Sequence, residues 1–131
     1  MACLDTNFLV ELLRRNSRAE KKLEELTLRG ETLTTTPLNA CELFKGAYRT
    51  GKQIEETKKV RELLSHLDIL DFSIPSCEVF GKIINSLRDK GDDVGEVDVL
   101  IACIVITHGE ILVTNNVKHF SRISGLRLET F

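Results

Sequence analysis

Tryptophan is absent from this sequence of 131 residues, and tyrosine and methionine occur once each. Aromatic residues make up only 5%, so a core has to be built from Leu, Ile and Val. No apolar run approaches the ~20 residues that a bilayer-spanning helix needs, and no basic segment leads into an apolar one at the N-terminus, which argues against a signal peptide. A Gly-rich phosphate loop is missing, so a nucleotide-binding fold of that kind has no support. A large excess of charge of one sign is missing too. A formal net charge of −2 gives no overall pull toward nucleic acid, and any such contact must come from local basic patches. The four cysteines, Cys3, Cys41, Cys77 and Cys103, are far apart in the chain and make neither a metal spacing nor a redox pair. They read as reduced thiols of a cytoplasmic protein. Internal repeats, low-complexity tracts and linkers are also absent, which points to a single domain spanning residues 1–131.

Hydrophobic residues make up 42% of the chain, enough to fill a proper core. They come in two alternating patterns. Short β-prone runs at Ala2–Asp5, Thr32–Thr36, Asp68–Phe72 and Ile111–Thr114, with a last edge strand at Arg127–Glu129, alternate with stretches of helical spacing. The helices are expected at Phe8–Arg15, at Arg18–Arg29 behind a Ser17 N-cap, and at Pro37–Thr50. Further helices are expected at Ile54–Ser65, from Pro75 to just before Gly91, and at Glu96–His108. The last of these is apolar nearly all round and should be the most buried. Gly91–Gly95 reads as a polar, flexible loop, and Lys118–Phe120 as a short turn. Strand and helix in alternation predict a three-layer α/β/α sandwich on a mostly parallel sheet.

Three acids interrupt apolar surfaces. Asp5 ends the first strand, Glu42 borders the apolar stripe of the third helix, and Asp98 lies in the first turn of the most hydrophobic helix. In open α/β sheets ligands gather at the carboxyl ends of the strands, where Asp5 stands. Either Asp5 or Asp98 alone could serve as a helix-terminal charge. Several buried carboxylates together need a cation, because an isolated buried charge costs several kcal/mol. Oxygen-rich sites select hard ions, chiefly Mg²⁺ or Mn²⁺. Such ions turn bound water into a nucleophile and stabilise charge on a phosphate. No Ser-His-Asp set is visible. Cys41 reads as core rather than nucleophile. Of the scattered histidines, His66, His108 and His119, only His119 lies near the proposed site mouth.

Four blocks carry a resemblance: Leu4-Asp5-Thr6-Asn7, Asn39 to Ala47, Gly95 to Ala102, and Leu112 to Phe120. In this order and spacing they resemble the PIN-domain nucleases, and within them the VapC-like toxin ribonucleases of prokaryotic toxin–antitoxin pairs. The likeness spans essentially the whole chain. It implies an α/β/α sandwich and Mg²⁺- or Mn²⁺-dependent RNA cleavage by Asp5, Glu42 and Asp98. A fourth acid is usual in the last block, and here those places hold Asn116 and His119. Asn116 could bind metal through its carbonyl or through water. Glu96, two residues before Asp98, could supplement the site, and the Thr6 and Thr114 hydroxyls would hold carboxylates or water. The resemblance also implies a homodimer and a cognate antitoxin. A partner helix is expected in a groove lined by Phe8, Leu9, Leu12 and Leu13.

Lys45, Arg49 and Lys52, three to four residues apart, would set a positive ridge beside the acids, suited to an RNA backbone. A second patch would comprise Arg14, Arg15 and Arg18. Two other functions compete. An aspartyl phosphatase would use Asp5 as nucleophile, but Asn7 stands where that chemistry usually wants a second acid. A non-catalytic PIN-like module that binds RNA or protein is favoured by Asn116.

Overall fold

In the computed structural model, which describes residues 1–131, strands and helices alternate from end to end. They are β1 (Ala2–Leu4), α1 (Thr6–Leu13), α2 (Ser17–Leu28), β2 (Leu33–Thr35), α3 (Pro37–Tyr48) and α4 (Gln53–Ser65). The chain continues through β3 (Asp68–Ile69), α5 (Ile74–Asp89), α6 (Glu96–Thr107), β4 (Ile111–Val113), α7 (Val117–Phe120) and β5 (Arg127–Glu129). The five strands form one sheet in the order β3-β2-β1-β4-β5. Every pairing is parallel, with Cys3 facing Thr34 on one side and Leu112 on the other.

Side-chain alternation along the central strands divides the core in two. Ala2, Leu4 and Val113 point to the face covered from α1 to α4, where Phe8, Leu9, Leu26 and Val60 are buried. Cys3 and Leu112 point to the opposite face, where α6 contributes Val99 and Ile101 through Val105. This is the expected α/β/α sandwich, and α6 is its most buried helix. The C-terminus closes the first layer, with the Phe131 ring set edge-on against Phe8 at 4.7 Å.

Local chemistry moves several boundaries. Asn16, not Ser17, caps α2, its side-chain oxygen accepting from the Arg18 and Ala19 amides. β3 is two residues long rather than five, because only its start pairs with β2, and Phe72 is exposed. Val94 anchors the Gly91–Gly95 loop in the core at 5% exposure, so that loop is less free than its polar neighbours suggest. Cys41 is exposed and not core. No helix is long and apolar enough to cross a membrane.

Candidate active site

Asp5 follows the central strand β1 directly, so the sheet places its carboxylate at the strand's carboxyl end. It is the N-cap residue of α1 but makes no side-chain cap bond. Other elements hold it instead. Its Oδ1 accepts from Asn39 Nδ2 at 3.0 Å, and its Oδ2 from the Thr114 hydroxyl at 2.7 Å. Thr114 follows β4, the neighbouring strand, and also receives the Asn116 backbone amide at 3.0 Å and Asn7 Nδ2 at 3.3 Å. One hydroxyl thus ties Asp5 to the loop that carries Asn116.

Asn39 is fully buried and is the residue that reading the sequence missed. It sits three positions after Thr36, which caps α3, and the two side chains and backbones exchange hydrogen bonds as a capping box. With its oxygen engaged by Thr36, its amide group faces Asp5 and the Thr6 hydroxyl, 2.9 Å away. Thr6 in turn donates to Glu42 Oε1 at 2.6 Å. Glu42 lies three residues after Asn39 and so on the same face of α3. A relay from Asn39 through Thr6 to Glu42 fixes two of the acids relative to each other.

Asp98 arrives from the first turn of α6. Its Oδ2 stands 3.1 Å from His119 Nδ1, and the Asn116 amide nitrogen is 3.3 Å from the same ring atom. Asp5, Thr6, Glu42, Asp98 and Asn116 line one cleft of about 390 Å³, with Asn7, Val10, Glu11 and Arg14 on its α1 side. Arg14 is the only basic residue of that lining, and it is paired with Glu11 at 3.2 Å.

Glu96 is not brought there. Residues two apart on a helix point in nearly opposite directions, and Glu96 is exposed and paired with Arg88 at 3.4 Å. Lys45, Arg49 and Lys52 are exposed at the end of α3 and the start of α4. Phe8 and Leu9 are completely buried, so they cannot line a docking groove. Val10, Leu12 and Leu13 do line open clefts, Val10 and Leu13 with Leu43 and Val60, and Leu12 and Leu13 with Leu23 and Leu63. The first of these clefts shares Val10, Arg14 and Glu42 with the acidic one.

The electrostatics follow from this crowding. Burial pushes the Asp5 carboxyl above its ordinary range, and the nearby charges of Asp98 and Glu42 push in the same direction. The hydrogen bond from Thr114 and the adjacent Thr6 amide oppose the shift without cancelling it. No three Asp, Glu, His or Cys side chains converge into a ready-made metal cage. Each acid is instead engaged by its own polar partner, Asp5 by Asn39 and Thr114, Glu42 by Thr6, and Asp98 by His119, while Asp98 and Glu42 act on Asp5 as like charges. A set of carboxylate and amide oxygens around a shared cleft nevertheless fits a hard divalent cation, which would relieve that repulsion.

The pattern of the PIN domain matches residues 2–126. The chain is 33% identical to ribonuclease VapC2 of Rickettsia felis, over 98% of this chain and 96% of that one. It is 29% identical to the tRNA(fMet)-specific endonuclease VapC of Salmonella typhimurium, over 96% of this chain and 94% of that one. In three dimensions it superimposes on a chain from the crystal structure of VapBC2 of Rickettsia felis bound to a promoter DNA fragment. The TM-score is 0.92 at 32% identity, covering 99% of this chain and 98% of that one.

Proposed function

From the premise that this chain belongs to the PIN-domain family, we propose that it is a VapC-type toxin endoribonuclease whose acidic cleft hydrolyses RNA phosphodiester bonds. The observation that carries this reading is the gathering of Asp5, Glu42, Asp98 and Asn116 at the carboxyl end of the central strands, with burial and like charge acting on Asp5. Such a cleft calls for a cation, and divalent metal dependence is general in the family.

Asp5 and Asp98 would hold Mg²⁺ or Mn²⁺, with Glu42 and the Asn116 amide oxygen completing the oxygen set. Bound there, the ion would lower the pKa of a water molecule and neutralise charge developing on the phosphate. Thr114 and Asn39 orient Asp5 through both of its oxygens, so the carboxylate cannot swing away from the cleft. Thr6 keeps Glu42 turned inward. Glu42 and Asp98 each keep one carboxylate oxygen without a protein hydrogen-bond partner; with Asp98 assigned to the ion, Glu42 is the acid left to orient or accept a proton from attacking water. Arg14 stands at the cleft mouth where an incoming phosphate would pass.

Lys45, Arg49 and Lys52 would guide the RNA backbone. A homodimer would place two such ridges along one groove, and light scattering on the purified chain at micromolar concentration tests it. The similar chain solved within a VapBC2 assembly supports an antitoxin partner; action in the cytoplasm is part of the same proposal. The clefts beside α1, which run into the acidic one, suit a segment of that partner.

The direct test is cleavage of RNA with Mg²⁺ or Mn²⁺. Asp98→Asn keeps the shape and removes one charge. Activity should fall by on the order of a hundredfold or more with the far-UV circular dichroism unchanged. Wild-type rates in this variant would place the reaction elsewhere.

A further inference from the structure

We propose that His119 is a nitrogen ligand of the metal in the acidic cleft, sharing one ion with Asp98 and Asn116 and turning the site's preference from Mg²⁺ toward Mn²⁺. The inference rests on the reading of the cleft as a metal site and adds its selectivity.

His119 Nδ1 is 3.1 Å from Asp98 Oδ2 and 3.3 Å from the Asn116 amide nitrogen. Neighbouring donors around one ion with bonds of about 2.0–2.2 Å stand about 3 Å apart. Both groups stand at that spacing from the ring nitrogen, and Asp98 and Asn116 line the cleft directly. With the Asn116 nitrogen toward the ring the hydrogen-bond set conflicts. One ring nitrogen cannot donate to the Asp98 carboxylate and accept from the Asn116 amide at once. A half-turn of the Asn116 amide presents its oxygen instead. Two oxygens then face Nδ1, and a cation in place of the ring proton would receive the carboxylate oxygen, the amide oxygen and the ring lone pair.

The tether supports the same arrangement. Asn116 and His119 are three residues apart at the start of α7, and the Thr114 hydroxyl holds the Asn116 backbone amide. Phe120, completely buried, fixes the adjacent position. The ring is therefore carried on an anchored segment, with its 43% exposed side chain at the rim. Imidazole nitrogen favours transition metals, whereas Mg²⁺ takes oxygen and keeps its waters. An imidazole at this place adds no charge that would serve Mg²⁺ and supplies a donor that serves Mn²⁺.

The test is electron spin-echo envelope modulation on the full chain loaded with Mn²⁺, with calorimetric titration of Mn²⁺ and Mg²⁺. Wild type should show the modulation of a directly bound ¹⁴N, and His119→Gln should lose it. Mn²⁺ affinity should drop by about tenfold in His119→Gln, and Mg²⁺ affinity by much less. His119→Glu should strengthen Mg²⁺ binding. Absence of nitrogen modulation in wild type, or equal losses for both ions, overturns the proposal. Asp5→Asn and Asp98→Asn separate it from its premise. If both still bind Mn²⁺ like wild type, the cleft is not the metal site and the two readings fall together. If both lose Mn²⁺ while His119→Gln does not, only the nitrogen ligand is wrong.

Discussion

Two groups of three carboxylates in this molecule have opposite surroundings. Asp5, Glu42 and Asp98 face one cleft with hydroxyls, amides and one imidazole around them, and no lysine or arginine reaches their oxygens. Glu25, Glu31 and Glu129 meet cations at every turn. Glu129 receives Lys22 Nζ at 2.6 Å and Arg29 Nη1 at 2.6 Å, and Glu31 receives Arg29 and the N-terminal amine. Glu25 stands 3.5 Å from both Lys22 and Arg29. The consequence is visible in the acidities. Arg29 and then Lys22 hold the Glu129 carboxyl down at about 2, whereas burial and like charge raise that of Asp5. The matched group ties α2 to β5 and to the start of β1. The unmatched group has no cation of the protein's own, which is what the proposed metal site requires.

The largest contrast should appear on neutralising one acid from each group. Asp5→Asn should reduce RNA cleavage by on the order of a hundredfold or more while raising the melting temperature of the metal-free protein by a few degrees. The sign follows from linkage. A carboxyl whose folded-state pKa is raised weakens the folded state as pH climbs from the unfolded value through the folded one, and it stays a penalty above both. The isosteric amide removes that penalty and its oxygen can keep the bond from Asn39, whereas the Thr114 hydroxyl, already accepting from Asn116 and Asn7, loses its acceptor, which limits the gain. Calorimetry with chelator checks it, and a lowered melting temperature would show that Asp5 carries stability rather than strain.

Glu129→Gln should do the reverse. Lys22, 8% exposed, loses its short partner and keeps only Glu25 at 3.5 Å, so unfolding should become easier by about 2 kcal/mol with cleavage unchanged. The pH dependence separates the groups again. Because the folded-state pKa of Glu129 is depressed, its contribution is complete above about 4.5 and is lost as pH falls toward 2. Over part of that range Asp5 relieves its own penalty. Wild type should therefore lose stability on acidification more steeply than Glu129→Gln, measured by urea unfolding at pH 7, 5 and 3. Parallel curves would remove Glu129 from the account.

The sandwich was legible because apolar period separates strand from helix, and the three acids because each breaks an apolar surface. Two failures have a geometric cause. Proximity in sequence groups Glu96 with Asp98, but two residues along a helix turn a side chain through about 200°. Leu9 reads as a groove residue because α1 is apolar on more than one stripe, and spacing alone does not say which stripe meets the sheet. Asn39 was missed although Thr36-Pro37-Leu38-Asn39 carries a readable signal, a cap residue with a polar partner three positions on. Glu110 escaped notice altogether. It stands just before β4, 2% exposed, bonded to the Thr34 hydroxyl across the sheet and beside the buried Cys3 thiol. One of its oxygens has no partner. An acid directly ahead of an apolar strand carries no periodic mark, so only the packed structure reveals it.

The smallest effect belongs to charges of the opposite sign that lack partners. Lys45, Arg49 and Lys52 are exposed and join none of the ion pairs that engage Lys22, Arg29 and Lys59. Replacing any of them by Gln should leave stability within about 0.5 kcal/mol, as for surface positions generally. If they follow an RNA backbone, each loss should weaken RNA binding a few-fold and flatten the dependence of log K on log salt by about 0.7 per phosphate contact for a single strand. Asp98→Asn protein is the right background, since RNA then stays intact during the titration. Lys59→Gln is the control, because that side chain is already engaged by Glu55 and Glu56. Equal salt slopes for the control and the ridge variants would mean that the ridge is merely a solvated helix end. A flatter slope only for the ridge would make it the electropositive counterpart of the acidic cleft, with the RNA phosphates held between Lys45 and Arg49 on one side and Asp5 and Asp98, through their cation, on the other.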